Sequence, residues 1–577
     1  MANEIHITDP NQLSGVELIK HKSNYLRGTL KESLDNKLTG SLAEDDTQII
    51  KFHGSYQQTD RDLDAERKKQ KLEPLYSFMI RVRMPGGIAS PVQWLEMDAL
   101  SDTYGNSTIK LTTRQTFQLH GIFKRNLKTT MKRINKVLLD TIAACGDVNR
   151  NVMCTPNPGL SPITNQVMEF AQAISTHLLP KTKAYYEIWI NDEQVVTTEE
   201  VDIEPIYGKR YLPRKFKIGI AIPPYNDTDI FSQDIGLIAI EDEGKLAGFN
   251  IVAGGGLGTT FGMPETYPRL GSILGYSTPD KIIDIVEKIV TIQRDFGNRE
   301  NRKLSRMKYT IDAMGVEAFT TELHKRLGYS LEPQRPFTFI HNGDKYGWVK
   351  DKDNRWHYCL FVEHGRVKDT EKLKLKTALK EIAQNHIGDF RLTGNQNLLI
   401  ANITENNKPI IERILKKYSI DDYINKSGLR RNSLACVALN TCSLAFAEAE
   451  RYLPSLIDKI EPVLERLGLS NEDINIRMTG CPNGCARPWL GEIAFIGRSP
   501  GYYNMYLGAA FNGERLSVLY KEMLDEPQII QELTKLFELY ASQRVVPERF
   551  GDFVIRKGIV KKGQEVEKNY SMFATGI

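Results

Sequence analysis

The chain carries most of its motifs twice, and this internal duplication constrains the possible folds more than any other feature. Four pairs of segments correspond in the same order: LEPLYSFMI (72–80) with LEPQRPFTF (331–339), IKLTTRQTFQLHGI (109–122) with FRLTGNQNLLIANI (390–403), NRNVMC (149–154) with RRNSLAC (430–436), and GFNIVAGGGLG (248–258) with GYYNMYLGAAFNG (501–513). A repeat of well over 200 residues is too long for a solenoid. The sequence therefore predicts an ancient duplication and a molecule with pseudo-two-fold symmetry.

Strand-like and helix-like patterns mix along the chain without a regular βαβ period, which predicts a mixed α/β or α+β fold. Apolar residues at helical spacing predict helices at 167–180, 279–297, 448–468 and 528–543. Runs of β-branched and aromatic residues predict strands at 184–190, 216–222 and 474–480.

Length and charge bound the class of protein. At 577 residues the chain is too long for one hydrophobic core, so we expect three or four structural units. A net charge of +4 is small for this size and argues against a dedicated nucleic-acid binder. No apolar run is long enough to span a membrane, and the first residues do not resemble a secretory signal. An odd, low cysteine count suits a reducing compartment, so we expect a cytoplasmic protein.

Residues 1–70 are highly charged and poor in apolar runs, and we interpret them as an N-terminal arm with an exposed helix within 56–71. A disordered tail is the alternative. Because Tyr25, Leu26, Phe52 and Tyr56 are embedded in this segment, we expect the arm to pack on its own body or on a partner.

Four of the seven cysteines lie close together near the C-terminus. Cys436 and Cys442 form C-x5-C and, after a gap of 38 residues, Cys481 and Cys485 form C-x3-C. Four thiolates complete the ligand set of an iron–sulfur cluster or of a zinc ion. Because C-x5-C lies outside the usual zinc spacing, the pattern favours the cluster. A zinc site and ordinary buried thiols are the alternatives.

Several predicted strands carry cations where apolar residues would normally face a core. Arg81 and Arg83 of RVRMPGG are two apart and project to one face of a strand. Further polar residues in such positions are Arg114, Gln118 and His120 of LTTRQTFQLHG, Arg150 of NRN, and Arg214, Lys215 and Lys217 of PRKFK. Solvated faces of surface strands are the alternative. The functional interpretation is a polyanionic ligand together with a small oxyanion, because arginine binds carboxylates and a lysine buried among cations can act as a general acid.

The glycine run AGGGLGTTFG (253–262) follows a predicted strand. It contains neither the dinucleotide fingerprint nor a P-loop, so a nucleotide site is poorly supported. Glycines let backbone approach a flat ligand closely, and a mobile surface loop is the alternative.

The segment MTGCPNGCARPWLGEIAFIG (478–497), together with NSLACVALNTCSLAFAEAERYLP (432–454), closely resembles the sirohaem-dependent sulfite and nitrite reductase family. The resemblance runs from about residue 21 to about 560. It implies that Cys436, Cys442, Cys481 and Cys485 hold a [4Fe–4S] cluster, and that Cys485 also bridges to the sirohaem iron.

The resemblance also implies roles for the polar residues. The oxyanion is expected to be bound by Arg83, Arg150, Lys215 and Lys217. The sirohaem contacts that it implies are Arg114, Gln118, His120, Arg214, Asn395, Gln396 and Asn483. His120 as an axial iron ligand is a rival role, but the sequence has no haem motif specific for histidine.

The fold implied by the resemblance is a ferredoxin-like double half-domain flanked by two α/β domains around a central cofactor site. The expected boundaries are an arm at 1–70, a first half-domain at 71–140, a first α/β domain at 141–329, a second half-domain at 330–420, and a second α/β domain with the cluster at 421–577.

The implied activity is the six-electron reduction of sulfite to sulfide. The segments NYLRG and YQQTDRD are typical of the assimilatory, NADPH-dependent form, in which a separate flavoprotein subunit supplies the electrons; ferredoxin is the variant donor. Neither a nucleic acid nor a membrane is expected as a partner. Two alternatives remain: reduction of nitrite to ammonia, and a non-catalytic binding protein stapled by zinc or by a cluster.

Overall fold

Four five-stranded sheets repeat the duplication that the sequence shows. The structure is a computed structural model that describes residues 13–190, 202, 204–420 and 422–568. The start of the predicted arm (1–12) and the end of the last predicted domain (569–577) lie outside the described residues.

The helices of the described chain are α1 (Gly15–Lys22), α2 (Leu30–Asp35), α3 (Asp46–Ile49), α4 (Asp64–Lys69), α5 (Pro91–Thr103), α6 (Leu127–Lys136), α7 (Thr164–His177), α8 (Ala184–Trp189), α9 (Ile282–Phe296), α10 (Met307–Met314), α11 (Val316–Leu327), α12 (Leu375–Asn385), α13 (Lys408–Lys417), α14 (Gly428–Arg431), α15 (Leu453–Arg466), α16 (Glu526–Gln543) and α17 (Phe550–Arg556). Its strands are β1 (Ser55–Thr59), β2 (Tyr76–Arg81), β3 (Ile88–Ala89), β4 (Ile109–Leu111), β5 (Phe117–Ile122), β6 (Met153–Cys154), β7 (Ile218–Ala221), β8 (Ile235–Asp242), β9 (Lys245–Ala253), β10 (Ser272–Ser277), β11 (Gly347–Lys350), β12 (Trp356–Leu360), β13 (Arg366–Val367), β14 (Asp389–Leu392), β15 (Leu398–Ile403), β16 (Ser433–Ala435), β17 (Ile476–Thr479), β18 (Ile493–Ser499), β19 (Tyr502–Leu507) and β20 (Val518–Leu524).

The two half-domains exchange strands. One sheet has the order β1-β2-β5-β4-β13, and the other has the order β11-β12-β15-β14-β3. Strand β13 therefore belongs to the second copy in sequence but pairs with β4 of the first, with Arg366 opposite Lys110. Strand β3 of the first copy pairs reciprocally with β14 of the second, with Ile88 opposite Arg391. Each half-domain thus completes the sheet of the other.

The two α/β domains share one topology. The first has the order β10-β9-β8-β7-β6 and the second β16-β17-β18-β19-β20. In each, three parallel strands lead into two antiparallel ones, because β6, β7 and β8 run parallel as β16, β17 and β18 do. This shared order confirms the predicted mixed α/β class and the duplication.

Clusters of buried apolar side chains hold the described parts of the molecule together. The largest runs through the arm, both half-domains and the first α/β domain, and the second α/β domain has its own core. A third cluster includes Phe231, Phe337, Phe339 and Trp489, and so joins the two α/β domains. Burial of such apolar surface is the main favourable contribution to folding.

The four predicted helices are confirmed as α7, α9, α15 and α16, and two of the predicted strands as β7 and β17. The strand prediction for 184–190 is wrong, because this segment forms α8. Its aromatic composition favours a strand, but helical spacing puts Tyr185 and Trp189 on one face. Both are buried there against His53, which overrides the local preference.

The arm is part of the body. Leu26, Leu30 and Phe52 are buried in the largest core, which confirms that the segment packs on its own chain. Its strand β1 pairs with β2 along its whole length, from Ser55 opposite Ile80 to Thr59 opposite Tyr76. The exposed helix expected within 56–71 is α4, and the first part of that range is β1.

Candidate active site

Two neighbouring loops carry most of the predicted cations. The backbone N–H of Arg150 donates to the carbonyl of Phe216 at 3.0 Å, and that of Phe216 donates to Val148 at 3.1 Å. The loop that ends at Arg150 therefore runs beside the PRKFK loop. This pairing brings together Arg150, Arg214, Lys215 and Lys217, which we call the cation cluster.

The lysines of the cation cluster lack counter-charges. Burial, followed by the nearby guanidiniums of Arg214 and Arg150, holds the pKa of Lys215 well below its ordinary 10.5. Burial lowers the pKa of Lys217 in the same direction, together with Arg306 and Arg114. Neither ammonium group forms an ion pair or a hydrogen bond with another residue that the structure describes. Buried cations without partners are costly, so this arrangement suits an anionic ligand.

The nearest acidic group is already engaged. Asp234 accepts two hydrogen bonds from Arg306 Nη2, at 3.0 and 2.8 Å, and one from the backbone N–H of Lys217 at 2.9 Å. Its charge is therefore matched by the guanidinium of Arg306. The net charge around Lys215 and Lys217 stays positive.

Arg114 lies beside the cation cluster. It donates to Gln233 Oε1 at 2.9 Å and to the Ile218 carbonyl at 3.2 Å. Burial, then Arg150, lowers its pKa to about 9. Three buried polar atoms of the expected sirohaem contacts have no partner among the described residues: Arg114 Nε, His120 Nε2 and Gln396 Oε1. Unpaired buried polar atoms cost free energy, so these three suit a polar ligand, and Arg114 Nε is the donor among them that suits a carboxylate.

The structure separates the two arginines of RVRMPGG. Strand β2 ends at Arg81, and the alternation that would place both on one face ends with it. Arg83 turns away and is bound to Asp140 Oδ2 at 2.9 Å and to Ser175 Oγ at 3.0 Å. The expectation that Arg83 binds the oxyanion stays a prediction, and in this placement its guanidinium is engaged by Asp140 and Ser175.

Arg81 is the arginine that lies at the site. Its Nη1 donates to Cys145 Sγ at 3.1 Å, and its charge, with that of Arg150, acts on Arg114. Opposite it on β5, one side-chain amide atom of Gln118 lies 2.9 Å from Arg81 Nε. Because a guanidinium only donates, that atom is the amide oxygen. The sequence signal for Arg81 was the pair of arginines itself, from which the motif match selected the second.

The other residues expected to contact sirohaem differ in how many hydrogen bonds they make to the protein. His120 Nδ1 lies 3.3 Å from Gln58 Oε1 of the arm, and burial lowers the histidine pKa to about 3, so the ring is neutral. Asn395 Nδ2 donates to the Asn342 carbonyl at 2.9 Å and to Asp344 Oδ1 at 3.1 Å. Asn395 is thus held mainly by protein, whereas its neighbour Gln396 keeps an unpaired oxygen.

The four cysteines follow two adjacent parallel strands. Strand β16 ends just before Cys436 and β17 ends just before Cys481, and the carboxyl ends of parallel strands meet at one edge of a sheet. The Cys436 thiol receives a 3.4 Å contact from the backbone N–H of Gly480. Such N–H···S contacts tune iron–sulfur centres.

The cysteines lie within electrostatic range of one another. Burial, then the neighbouring thiol of Cys485, raises the pKa of Cys436 to about 12, that of Cys442 to about 11 and that of Cys481 to about 12. In the part of the chain that the structure describes, no three His, Cys, Asp or Glu side chains converge closely enough to bind a single metal ion.

The glycine run of the first copy packs on the cluster loop. The backbone N–H of Thr259 donates to the Pro482 carbonyl at 2.9 Å. A Cβ on Gly258 would lie 3.2 Å from the carbonyl oxygen of Asn483, and one on Gly255 would lie 2.2 Å from that of Phe231. The glycines are therefore needed for close approach of backbone to backbone. Asn483 itself has its Nδ2 3.5 Å from Cys481 Sγ.

Arg487 ties the turns of both half-domains to the cluster loop. It donates to the Thr113 carbonyl at 2.9 Å and to the Gly394 carbonyl at 2.8 Å, and it forms an ion pair with Asp229. Cys485 also lies within electrostatic range of Lys215. The cation cluster and the cluster cysteines therefore form one site, at the centre of the pseudo-two-fold molecule.

Comparisons with known proteins agree with this geometry. A model described as the nitrite/sulfite reductase ferredoxin-like half domain matches residues 70–137 and 349–418, and one described as the nitrite and sulphite reductase 4Fe-4S domain matches 169–331. A curated relative from Anoxybacillus flavithermus, "Sulfite reductase [NADPH] hemoprotein beta-component", is 60% identical over 549 residues, 95% of this chain and 96% of the relative. The chain belongs to the nitrite and sulphite reductase family. The predicted family is confirmed.

A second curated relative and a solved structure match over nearly the same share of the chain. A protein of the same name from Staphylococcus haemolyticus is 58% identical and covers 96% of both chains. The solved structure of the Mycobacterium tuberculosis NirA protein matches with a TM-score of 0.77 at 24% identity, covering 94% of this chain and 96% of that one, and so supports the fold.

One detail of the family match concerns the duplication. The 4Fe-4S domain match at 169–331 lies in the first copy, which contains none of the four cysteines. The cysteines belong to the second α/β domain, which has the same sheet order. The two copies thus share a fold and differ in their ligands.

None of the helices in the described ranges is both long and apolar enough to cross a membrane.

Proposed function

We propose that this chain is the haemoprotein component of an assimilatory sulfite reductase and catalyses the six-electron reduction of sulfite to sulfide. The observation that carries the proposal is the position of Lys215 and Lys217, two ammonium groups without ion-pair partners in the described chain, of which Lys215 lies within electrostatic range of Cys485. The names of the relatives, at 58–60% identity over nearly the whole chain, support sulfite as the substrate.

The described residues fit both cofactors of the family. Four free cysteines at the ends of β16 and β17 would hold a [4Fe–4S] cluster, and Cys485 would join it to sirohaem. Arg114, Gln118, His120, Arg214, Gln396 and, less directly, Asn395 and Asn483 would contact the macrocycle. When bound, sirohaem and the cluster supply iron at which sulfite is held and a path for electrons.

The residues of the chain bind the oxyanion and supply protons. Arg81 and Arg150 present planar guanidiniums, which suit the oxygens of sulfite. Lys215 and Lys217 add charge, and their lowered pKa makes each ammonium a better proton donor near neutral pH. Each S–O bond that breaks must release its oxygen as water, so proton donors are needed at the substrate.

Electrons come from a separate protein. The names of the relatives include NADPH, whereas this chain has neither a dinucleotide fingerprint nor a P-loop. A separate flavoprotein subunit that oxidises NADPH is therefore the proposed partner, and ferredoxin is the alternative donor. Seven free cysteines support a reducing compartment, and we propose the cytoplasm.

Turnover with an artificial donor tests the function. The visible spectrum of the purified protein is recorded, and then sulfite and nitrite are titrated separately with reduced methyl viologen. A sirohaem spectrum with higher kcat/KM for sulfite supports the proposal. The same spectrum with nitrite preferred would change the substrate, and a colourless protein that contains zinc would exclude the redox function.

A further inference from the structure

The turn between α3 and β1 is anchored on every segment that carries the oxyanion residues. The backbone N–H of Ala143 donates to the Phe52 carbonyl at 2.8 Å, and that of Arg81 donates to the Gly54 carbonyl at 2.8 Å. The ring of Phe52 packs 5.1 Å from that of Tyr211, at the start of the PRKFK loop. This turn, Lys51–Gly54, is thus fixed in place relative to the cation cluster.

Space around the turn is limited. A Cβ on Gly146 would lie 2.8 Å from the ring of Phe52, and one on Gly54 would lie 2.2 Å from the Thr141 carbonyl oxygen. Both glycines have positive φ, so their backbone conformation also favours glycine. The turn therefore has little freedom to move away from the loop that ends at Arg150.

Lys51 is the charged side chain of this turn. Its ammonium lies 2.6 Å from Gln48 Oε1 and 5.7 Å from the centre of the Tyr56 ring. The hydroxyl of Tyr56 in turn accepts a hydrogen bond from Arg150 Nη2 at 3.3 Å. A single aromatic side chain thus separates Lys51 from a member of the cation cluster.

The charge of Lys51 is not neutralised locally. Its hydrogen-bond partner is an amide, and no carboxylate of the described chain forms an ion pair with it. Burial, then Arg302, lowers its pKa to about 8, with Arg214 and Arg150 acting in the same direction. Asp147 acts against them, but it is bound to Arg302 at 2.8 Å. Lys51 is half-buried.

We propose that Lys51 is a further cation of the oxyanion site, which attracts the incoming anion from solvent toward Arg150. A cleft lined by charge of one sign concentrates ligands of the opposite sign and raises their association rate. The proposal rests on the proposed function, in which the anion is sulfite. It assigns to the arm a direct part in substrate capture.

The test compares Lys51→Met and Lys51→Arg with the wild type as holoenzymes. In the Met variant we expect kcat/KM for sulfite to fall by roughly threefold to tenfold at low ionic strength, with kcat unchanged. The Arg variant keeps the charge and is expected to retain kcat/KM. Salt screens such attraction, so the difference should disappear between about 0.01 M and about 1 M salt. Equilibrium binding of sulfite, followed by the visible spectrum without reductant, should weaken in parallel.

Lys68→Met is the matched control, because Lys68 is an exposed lysine of the same arm and its loss changes the net charge equally. Equal kcat/KM for Lys51→Met and the control at low salt would overturn the proposal, as would a loss confined to kcat. If the Lys51→Met protein does not assemble with its cofactors, Lys51→Gln, which changes polarity less, is compared with the control by the same measurement of kcat/KM. Failure of the wild type to bind sulfite would refute the proposed function instead.

Discussion

The hydroxyl of Thr113 donates a 3.0 Å hydrogen bond to the backbone carbonyl of Cys485. Thr113 belongs to the turn between β4 and β5 of the first half-domain, and Cys485 belongs to the second α/β domain. Arg487 binds the same turn from the other side through the Thr113 carbonyl. The turn that carries Thr113 and Arg114 is therefore fixed to Cys485, the cysteine expected to bridge the two cofactors. In this way the duplicated fold forms one asymmetric site.

The placement of Arg81 and Arg83 leads to a first prediction. Arg81→Gln should lower kcat/KM for sulfite by about 10-fold to 100-fold, because a hydrogen bond to a charged group contributes about 1.5–3 kcal/mol. Arg83→Gln should leave kcat/KM within about twofold, since it breaks a partly exposed ion pair with Asp140. Steady-state kinetics with reduced methyl viologen check both variants. A larger loss of kcat/KM in Arg83→Gln than in Arg81→Gln would show that Arg83 is the arginine that binds the oxyanion.

Lys215 and Lys217 are expected to act as proton donors. Lys215→Met and Lys217→Met should keep both cofactors and lower kcat by roughly 10²–10⁴-fold. Since each pKa lies well below 10.5, wild-type kcat should fall as pH rises through it and the ammonium loses its proton. In a variant that lacks one of these lysines, the decrease of kcat at alkaline pH should differ from that of the wild type. Lys245→Met, at an exposed position of β9, is the control. Unchanged kcat in Lys215→Met and Lys217→Met would show that these lysines are not proton donors in the reaction.

The sequence predicts those parts of the site in which residues that lie close together in space also belong to one sequence motif. Cys481 and Cys485 share one turn, and Lys215 and Lys217 share one loop, so local spacing was sufficient. Arg83 was selected by the motif match, but strand alternation ends with β2, and beyond it an ion pair to Asp140, more than 50 residues away, determines the direction of the side chain. Local patterns contain no information on such a partner.

The arm shows a second limit of prediction from sequence. Its apolar residues indicated packing, but β1 pairs with β2 across a connection that includes α4, and this pairing brings Gln58 to His120 and Tyr56 to Arg150. The exchange of β3 and β13 between the half-domains was equally hidden, since two-residue strands have no recognisable period. Tertiary contacts decide both features.

The cysteines should differ in what their loss does. Cys436→Ser should abolish bound iron and labile sulfide, because a cluster requires its full set of thiolates. Cys485→Ser should disturb the cluster and sirohaem spectra together if this residue joins the two groups. Metal analysis and visible and EPR spectra measure these effects, with Cys359→Ala, at a buried thiol outside the quartet, as the control. Loss of the cluster signal alone in Cys485→Ser would contradict the bridge.

His53 should make the stability of the protein depend on pH. Trp189 Nε1 donates to His53 Nδ1 at 2.8 Å, so the proton of the neutral ring lies on Nε2, which donates to the Leu26 carbonyl at 3.0 Å. Burial lowers the pKa of His53 from 6.5 to about 4. The unfolded chain therefore binds the proton at higher pH than the folded chain does. The stability that depends on the neutral ring is complete above pH 6.5 and is lost as pH falls toward 4.

The expected slope is up to about 1.4 kcal/mol of unfolding free energy per pH unit for one proton. His53→Gln should be less stable than the wild type at neutral pH, since an amide replaces the two ring contacts imperfectly. Its stability should nevertheless decrease less steeply below pH 6.5, because it has no proton to take up at this position. Denaturant unfolding at several pH values from neutral to about 4 measures both curves, and the comparison cancels the effects of other histidines. Parallel slopes would show that His53 does not titrate on unfolding.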